Sequence, residues 1–120
     1  MVPTGVGTLL FTGASASLRG RPNFGAFNSA KAGLRNLAQA MAKEYGPQGI
    51  HVGHVVIDGA ISGDKIMRRL PEIAKKLGEE GMIKIEGIVD GYVYLYNQLP
   101  QAWTFELDLR TSKELSLIHI

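Results

Sequence analysis

The chain has 120 residues, of which 45% are hydrophobic and 20% charged, the balance of one soluble globular domain. Its 13 basic and 11 acidic side chains are interspersed and give a formal net charge of +2, so there is no dense basic patch for nucleic acid. Cysteine is absent, which excludes disulfides and thiolate chemistry. No apolar run is long enough for a membrane span and no secretory signal is recognisable, so we expect a cytoplasmic protein.

The first half of the chain predicts a strand, a helix and a second strand. Residues from Gly7 to Ala14 are nearly continuous in apolar and β-branched side chains, which indicates a strand buried on both faces. A helical pattern then runs from Asn23, the expected cap, to Gly46-Pro47. The apolar positions of that pattern are Phe27, Ala30, Leu34, Leu37, Ala38, Met41 and Tyr45. Val and Ile dominate from Ile50 to Ile57 and predict the second strand.

This order is a βαβ unit, whose strands are parallel and whose crossover is right-handed. The carboxyl ends of both strands therefore lie at one edge of the sheet, where α/β folds bind ligands.

The second half predicts two helices and one strand. The segment from Asp64 to about Gly78 is a helical pattern that is interrupted or restarted at Pro71. A second amphipathic pattern ends near Gln98-Leu99-Pro100, with apolar positions Ile85, Ile88, Val89, Tyr92, Val93 and Tyr96. Apolar and polar residues then alternate from Trp103 to Arg110, the period of a half-exposed strand at a sheet edge. The fold class is therefore α/β.

Residues 115–120 form an abrupt apolar end that does not continue this alternation. The hexapeptide is also what the adapter end of a transposase-prepared sequencing library encodes in one reading frame. We therefore expect one domain over residues 1–114 and a non-native tail over residues 115–120.

Three motifs in order resemble the short-chain dehydrogenase/reductases: Gly7 to Ser15, Gly25 to Gly33, and Gly49 to Ile61. The resemblance implies the carboxyl-terminal half of a Rossmann-like domain, with about three parallel strands and flanking helices, that lacks the amino-terminal dinucleotide-binding half. It also implies an NAD(P)-dependent oxidoreductase that acts on an alcohol or carbonyl of a small molecule. NAD and NADP stay equally open as cofactors, and we expect this chain alone to bind either weakly or not at all.

By resemblance, the catalytic helix carries a tyrosine acid/base and a lysine four residues later. Here the lysine is Lys31, and Phe27 occupies the tyrosine position, so the usual proton transfer has no hydroxyl. The family's serine position falls on Ala14, with Ser15 adjacent and Ser17 slightly farther on. Ser15 is the candidate substitute, provided that the backbone turns there.

The resemblance also implies cofactor contacts at Lys31, Gly13, Gly59 and the backbone of Ile61. For the two glycines, turn formation is an equally good interpretation. A lone helical lysine usually lies on the surface, but the Phe-x-x-x-Lys spacing favours the cofactor site for Lys31. No metal site is expected, because His51 and His54 lie on opposite faces of a strand.

Two functions stay open from the sequence. The first is a fragment of an active oxidoreductase; the second is a non-catalytic relative that binds cofactor or pairs with another subunit. Family members commonly dimerise through helices, so we expect a homo-oligomer formed through residues 24–45 and 85–98 of the full-length protein. On this interpretation we expect Met1 to be an internal methionine of a longer protein whose first half was lost by truncation or by a misassigned start.

Overall fold

The computed structural model describes residues 1–63 and 68–113. Two strands and the helix between them make the first half: β1 (Gly7–Ala14), α1 (Gly25–Tyr45) and β2 (Ile50–Asp58). The second half comprises β3 (Ile61–Ser62), α2 (Pro71–Leu77), β4 (Ile83–Lys84), α3 (Ile85–Tyr96) and β5 (Glu106–Arg110). Short 3-10 turns cover Val2–Thr4, Ser15–Ser17, Gly46–Gln48, Glu79–Gly81 and Pro100–Ala102.

The main sheet has three parallel strands in the order β1-β2-β5, which confirms the α/β class and the βαβ unit. Every residue of the central strand β2 is buried. The flanking strand β1 is mostly half-buried, so the prediction of a fully buried strand was wrong. The reason is its place at the edge of the described sheet, where only one side of the strand has a hydrogen-bonded neighbour.

The expected cap of α1 was also wrong. Asn23 has a φ of 69°, in the left-handed region, and the helix begins two residues later at Gly25. Phe24 occupies the cap position without a side-chain cap hydrogen bond. Asn tolerates positive φ better than most residues, so it serves here to turn the chain into the helix.

The hydrophobic core lies between the sheet and α3. Its buried members are Val55, Ile57, Ile83 and Leu95, with Leu10, Ile88, Tyr92, Leu107 and Leu109 packed around them. The predicted apolar face of α3 is therefore split. Ile88 and Tyr92 face the core, whereas Val89 and Val93 are 51% and 50% exposed.

Two short strands, β3 and β4, pair in a separate parallel sheet that the sequence pattern does not reveal, because each is only two residues long. Pro71 is the first residue of α2, as the restarted helix predicts, while residues 64–67 of that prediction lie outside the described residues. Residues 114–120, including the predicted tail and the domain boundary at 114, lie outside them as well. Within the described ranges no helix has the length and apolarity needed to cross a membrane.

Candidate active site at the carboxyl edge of the sheet

The carboxyl ends of β1 and β2 lie side by side, because Ala14 is in register with Ile57. The segment that follows β1 and the Asp58-Gly59 turn that follows β2 therefore meet at one edge. Two cavities open there. The Phe27 cavity is lined by Ser15, Ala16, Arg19, Arg21, Phe24, Phe27 and Asn28. The Asp58 cavity is lined by Ala14, Ser15, Arg19, Arg21, Ile57, Asp58 and Gly59.

Ser15 lines both cavities because the backbone turns at that residue. Ala14 is still extended, with φ −149° and ψ 176°, and Ser15 opens a 3-10 turn. The backbone therefore turns at Ser15, as its role as a substitute for the family's serine requires. Ser17, the other candidate hydroxyl, is buried, and its Oγ accepts a hydrogen bond from the Ala14 amide at 3.1 Å.

Phe27 and Lys31 lie on the first turns of α1. The Phe27 ring is 51% exposed and forms one wall of the cavity named after it. One turn later, the Lys31 ammonium donates a hydrogen bond to the backbone carbonyl of Thr12, with 3.4 Å between Nζ and O. An ammonium has three donors, so two stay available beside the end of β1. Two N–H donors of this kind can bind the hydroxyl oxygens of a ribose.

Gly13 lies inside β1 and makes room for a buried histidine. A Cβ at this position would lie 2.2 Å from His54 Nε2 and 2.7 Å from Ser17 Oγ. Both side chains are buried, at 0% and 4% exposure, so neither can swing away without a change in the core. The close packing of His54 therefore requires glycine at this position.

Gly59 and Ile61 follow β2. Gly59 has a φ of 141°, which favours glycine, and it contributes to the wall of the Asp58 cavity. Ile61 begins β3, and its carbonyl accepts a hydrogen bond from the Gly63 amide at 2.9 Å. Ile61 lies outside both cavities, whereas Ser15 and Gly59 share one.

The sequence pattern missed an ionic network on the α1 face of the sheet. Arg35 of α1 forms two hydrogen bonds to the Glu106 carboxylate, at 2.6 Å and 3.0 Å, and His54 Nδ1 lies 3.0 Å from the same group. The hydrogen bond from Arg35 and the one from His54 hold the pKa of Glu106 below its usual value, against the opposing effect of burial. The same carboxylate raises the pKa of Arg35.

The network depends on how strands β2 and β5 are paired. Glu106 and His54 are register partners on adjacent parallel strands, so their side chains share a face. Recognising the pair requires the strand register, which one sequence does not supply. Among the described residues, His54 Nε2 and His51 Nδ1 are buried atoms without a hydrogen-bond partner. The His51 ring stacks on Trp103 with 4.8 Å between ring centroids.

Asp58, the last residue of β2, is buried at the rim of the site. Its carboxylate lies 2.9 Å from Arg110 and 3.9 Å from Arg19. It therefore ties the loop after β1 to the last residue of β5. In the described ranges, three or more potential metal ligands do not cluster anywhere.

Comparison with known proteins identifies relatives of this chain. A family profile described as enoyl-(acyl carrier protein) reductase matches residues 1–96. An uncharacterised short-chain type dehydrogenase/reductase of Sinorhizobium fredii is 30% identical over an alignment of 105 residues that covers 82% of this chain and 42% of that protein.

Solved structures give the same result. A short-chain dehydrogenase from Rhodopseudomonas palustris is 39% identical, with a TM-score of 0.67 over 92% of this chain and 41% of its own. The NADPH-bound short chain oxidoreductase from Pseudomonas aeruginosa, described as having an atypical catalytic center, is 19% identical, with a TM-score of 0.72 over 90% of this chain and 46% of its own. The latter likeness shows the fold alone. The chain spans less than half the length of these relatives.

Proposed function

Because the chain belongs to the short-chain dehydrogenase/reductase family of oxidoreductases, we propose that the protein transfers hydride between a nicotinamide cofactor and an alcohol or carbonyl carbon of a small molecule. The observation that carries the proposal is the position of Lys31. Its ammonium stands beside the end of β1, one helical turn beyond the aromatic residue at the tyrosine position.

Lys31 would hold the cofactor by donating hydrogen bonds to the ribose hydroxyls, and the backbones of Gly59 and Ile61 would approach the nicotinamide end. Gly13 would act beneath them by allowing the close packing of His54 and Ser17. When bound, the cofactor supplies or accepts the hydride. The Pseudomonas aeruginosa oxidoreductase is bound to NADPH, and a serine dehydrogenase of similar fold is complexed with NADP+. Both support a nicotinamide cofactor for this chain without selecting between NAD and NADP.

Phe27 changes what the chain's own residues must do with the proton. The phenyl ring cannot donate one, so we assign the transfer of the proton to or from the substrate oxygen to the Ser15 hydroxyl, which lines the cavity shared with Phe27 and would exchange that proton with water at the open side of the cavity. The positive charge of Lys31 then stabilises negative charge that develops on that oxygen. Phe27 itself forms one wall of the cavity.

The test compares the complete open reading frame that encodes this chain with its Lys31→Met variant. We expect this variant to weaken NADPH or NADH binding by about tenfold, because a charged hydrogen-bond donor is lost, and to lower kcat/KM by roughly 100-fold. Lys43→Met, at the exposed far end of α1, is the matched control and should leave both values unchanged. Equal effects at the two lysines would contradict the assignment of Lys31.

Phe27 also supports the second candidate, a non-catalytic relative that binds cofactor or pairs with another subunit. The two candidates differ in their response to Phe27→Tyr. Hydride transfer by the unaltered protein supports the oxidoreductase, whereas activity that arises only in Phe27→Tyr supports the non-catalytic relative. The cytoplasmic location and the homo-oligomer stay predictions.

A further inference from the structure

We propose that the site takes a substrate with an anionic oxygen group, a carboxylate or a phosphate, and that Arg19 and Arg21 bind this group. The inference rests on the proposed function only in calling the ligand the substrate. Both arginines line the Phe27 cavity and the Asp58 cavity, so the two residues lie where the two cavities of the candidate site adjoin.

Arg21 is held in place by its backbone. Its amide donates a hydrogen bond to Asn28 Oδ1 at 2.7 Å, and Asn28 is a buried residue of α1 with 7% exposure. The guanidinium carbon lies 5.7 Å from the centre of the Phe24 ring. This cation–π contact keeps the guanidinium beside the ring, and the planar fork of a guanidinium matches the two oxygens of a carboxylate or phosphate.

Arg19 retains most of its hydrogen-bonding capacity. Its side chain is 47% exposed, and its contact with Asp58 is a 3.9 Å separation between Nη2 and Oδ2. Asp58 is the acidic member of the residues that line the two cavities, and it also contacts Arg110 at 2.9 Å. The charge around the junction therefore favours an anion.

The aromatic walls of the Phe27 cavity indicate the size and polarity of the rest of the ligand. Phe24 and Phe27 give the Phe27 cavity an aromatic lining, and its volume is about 110 Å³. An apolar cavity of roughly 150 Å³ can hold benzene, so an open cavity of this size suits a small ring or a short apolar chain. The fitting ligand is a small acid with an apolar body.

The experiment titrates the full chain, without nicotinamide, with benzoate, phenyl phosphate and benzyl alcohol, and follows amide chemical shifts by NMR. We expect at least one of the two anions to bind about tenfold more tightly than the neutral alcohol, with shifts at Ser15 and Arg21. Binding of benzoate alone identifies a carboxylate, and binding of phenyl phosphate alone identifies a phosphate.

Arg21→Gln should weaken the anion by about tenfold, and Arg21→Lys should restore part of the loss. Lys43→Gln, which removes one charge at the other end of α1, should change the affinity by less than about twofold. Equal binding of benzyl alcohol, absence of anion binding, or equal losses in Arg21→Gln and Lys43→Gln would overturn the proposal. Since no hydride is transferred in this titration, its failure is distinct from failure of the oxidoreductase function.

Discussion

At Gly13, the absence of a side chain decides how β1 meets β2. The imidazole of His54 fills the space that a Cβ would occupy, and Ser17 closes it from the other side. The sequence offers two interpretations of this glycine, a turn or a cofactor contact. Neither includes the packing of His54 against it, which the fold produces. A histidine from 41 positions later can be recognised only once the strands are paired.

Gly13→Ala should therefore destabilise the protein by about 1–3 kcal/mol, because the methyl group overpacks two buried side chains. Gly33→Ala is the matched control. Gly33 lies within α1, and nothing lies within 4 Å of its hypothetical Cβ, so alanine should stabilise the helix by about 0.5–1 kcal/mol. Urea unfolding of the two variants measures both changes. Changes of the same sign would show that the close approach of His54 does not restrict Gly13.

Among the elements, α1, β2 and β5 are tied together by the Arg35, Glu106 and His54 side chains. The carboxylate accepts from both partners, and its pKa is lowered in the folded chain. A group with a lowered folded pKa contributes stability that is full above its ordinary value of 4.5 and is lost as the pH falls toward the lowered value. The network therefore makes part of the stability sensitive to acid.

Glu106→Gln should cost about 1 kcal/mol of stability near neutral pH and progressively less as the pH falls below the ordinary pKa. Chemical unfolding at a series of pH values measures the difference between the variant and the unaltered chain. Glu44→Gln, at an exposed position of α1, should change stability by less than about 0.5 kcal/mol. A Glu106→Gln difference that stays constant down to the acid limit would show that the ion pair adds nothing to folding.

The elements show what one sequence can predict. Apolar runs predict β1 and β2 to within one residue, and helical periodicity predicts α3 to within about two residues. Pro71 marks the start of α2. Local chemistry was less reliable: Asn23 resembles a cap, but its left-handed backbone places it before the helix. The alternation of apolar and polar residues predicts the last strand but places Glu106 in solvent. The pattern alone does not show that Arg35 and His54 lie on the same face of the sheet and bind this carboxylate.

The same limit applies to the site. Motif order predicts Ser15, Phe27 and Lys31 at one edge, because carboxyl ends of parallel strands meet there. No motif in the sequence identifies Arg19 and Arg21 as site residues. Their place at the junction of two cavities depends on the turn at Ser15 and on the Asn28 hydrogen bond, which form only in the folded chain.

At the scale of the whole molecule, helix α3 is apolar on two sides. One side packs on the sheet through Ile88, Tyr92 and Leu95. The other carries Ile85, Val89, Val93 and Tyr96, with exposures from 48% to 69%, and Phe27 and Leu37 of α1 are about as exposed. Exposed apolar stripes of this kind often mark surfaces that bind another protein, so the outer stripe of α3 supports the prediction of a contact with another copy.

We therefore expect the chain to self-associate and the paired change Val89→Glu with Val93→Glu to weaken association by at least about tenfold, since each valine loses roughly 1 kcal/mol of apolar burial. Analytical ultracentrifugation over a range of concentrations measures this. Gly87→Glu adds the same kind of charge to α3 at an exposed position outside the stripe, and nothing lies within 4 Å of its hypothetical Cβ, so it should leave association unchanged. If the unaltered chain sediments as a monomer, or if the control dissociates it equally, the outer stripe is not an interface between copies.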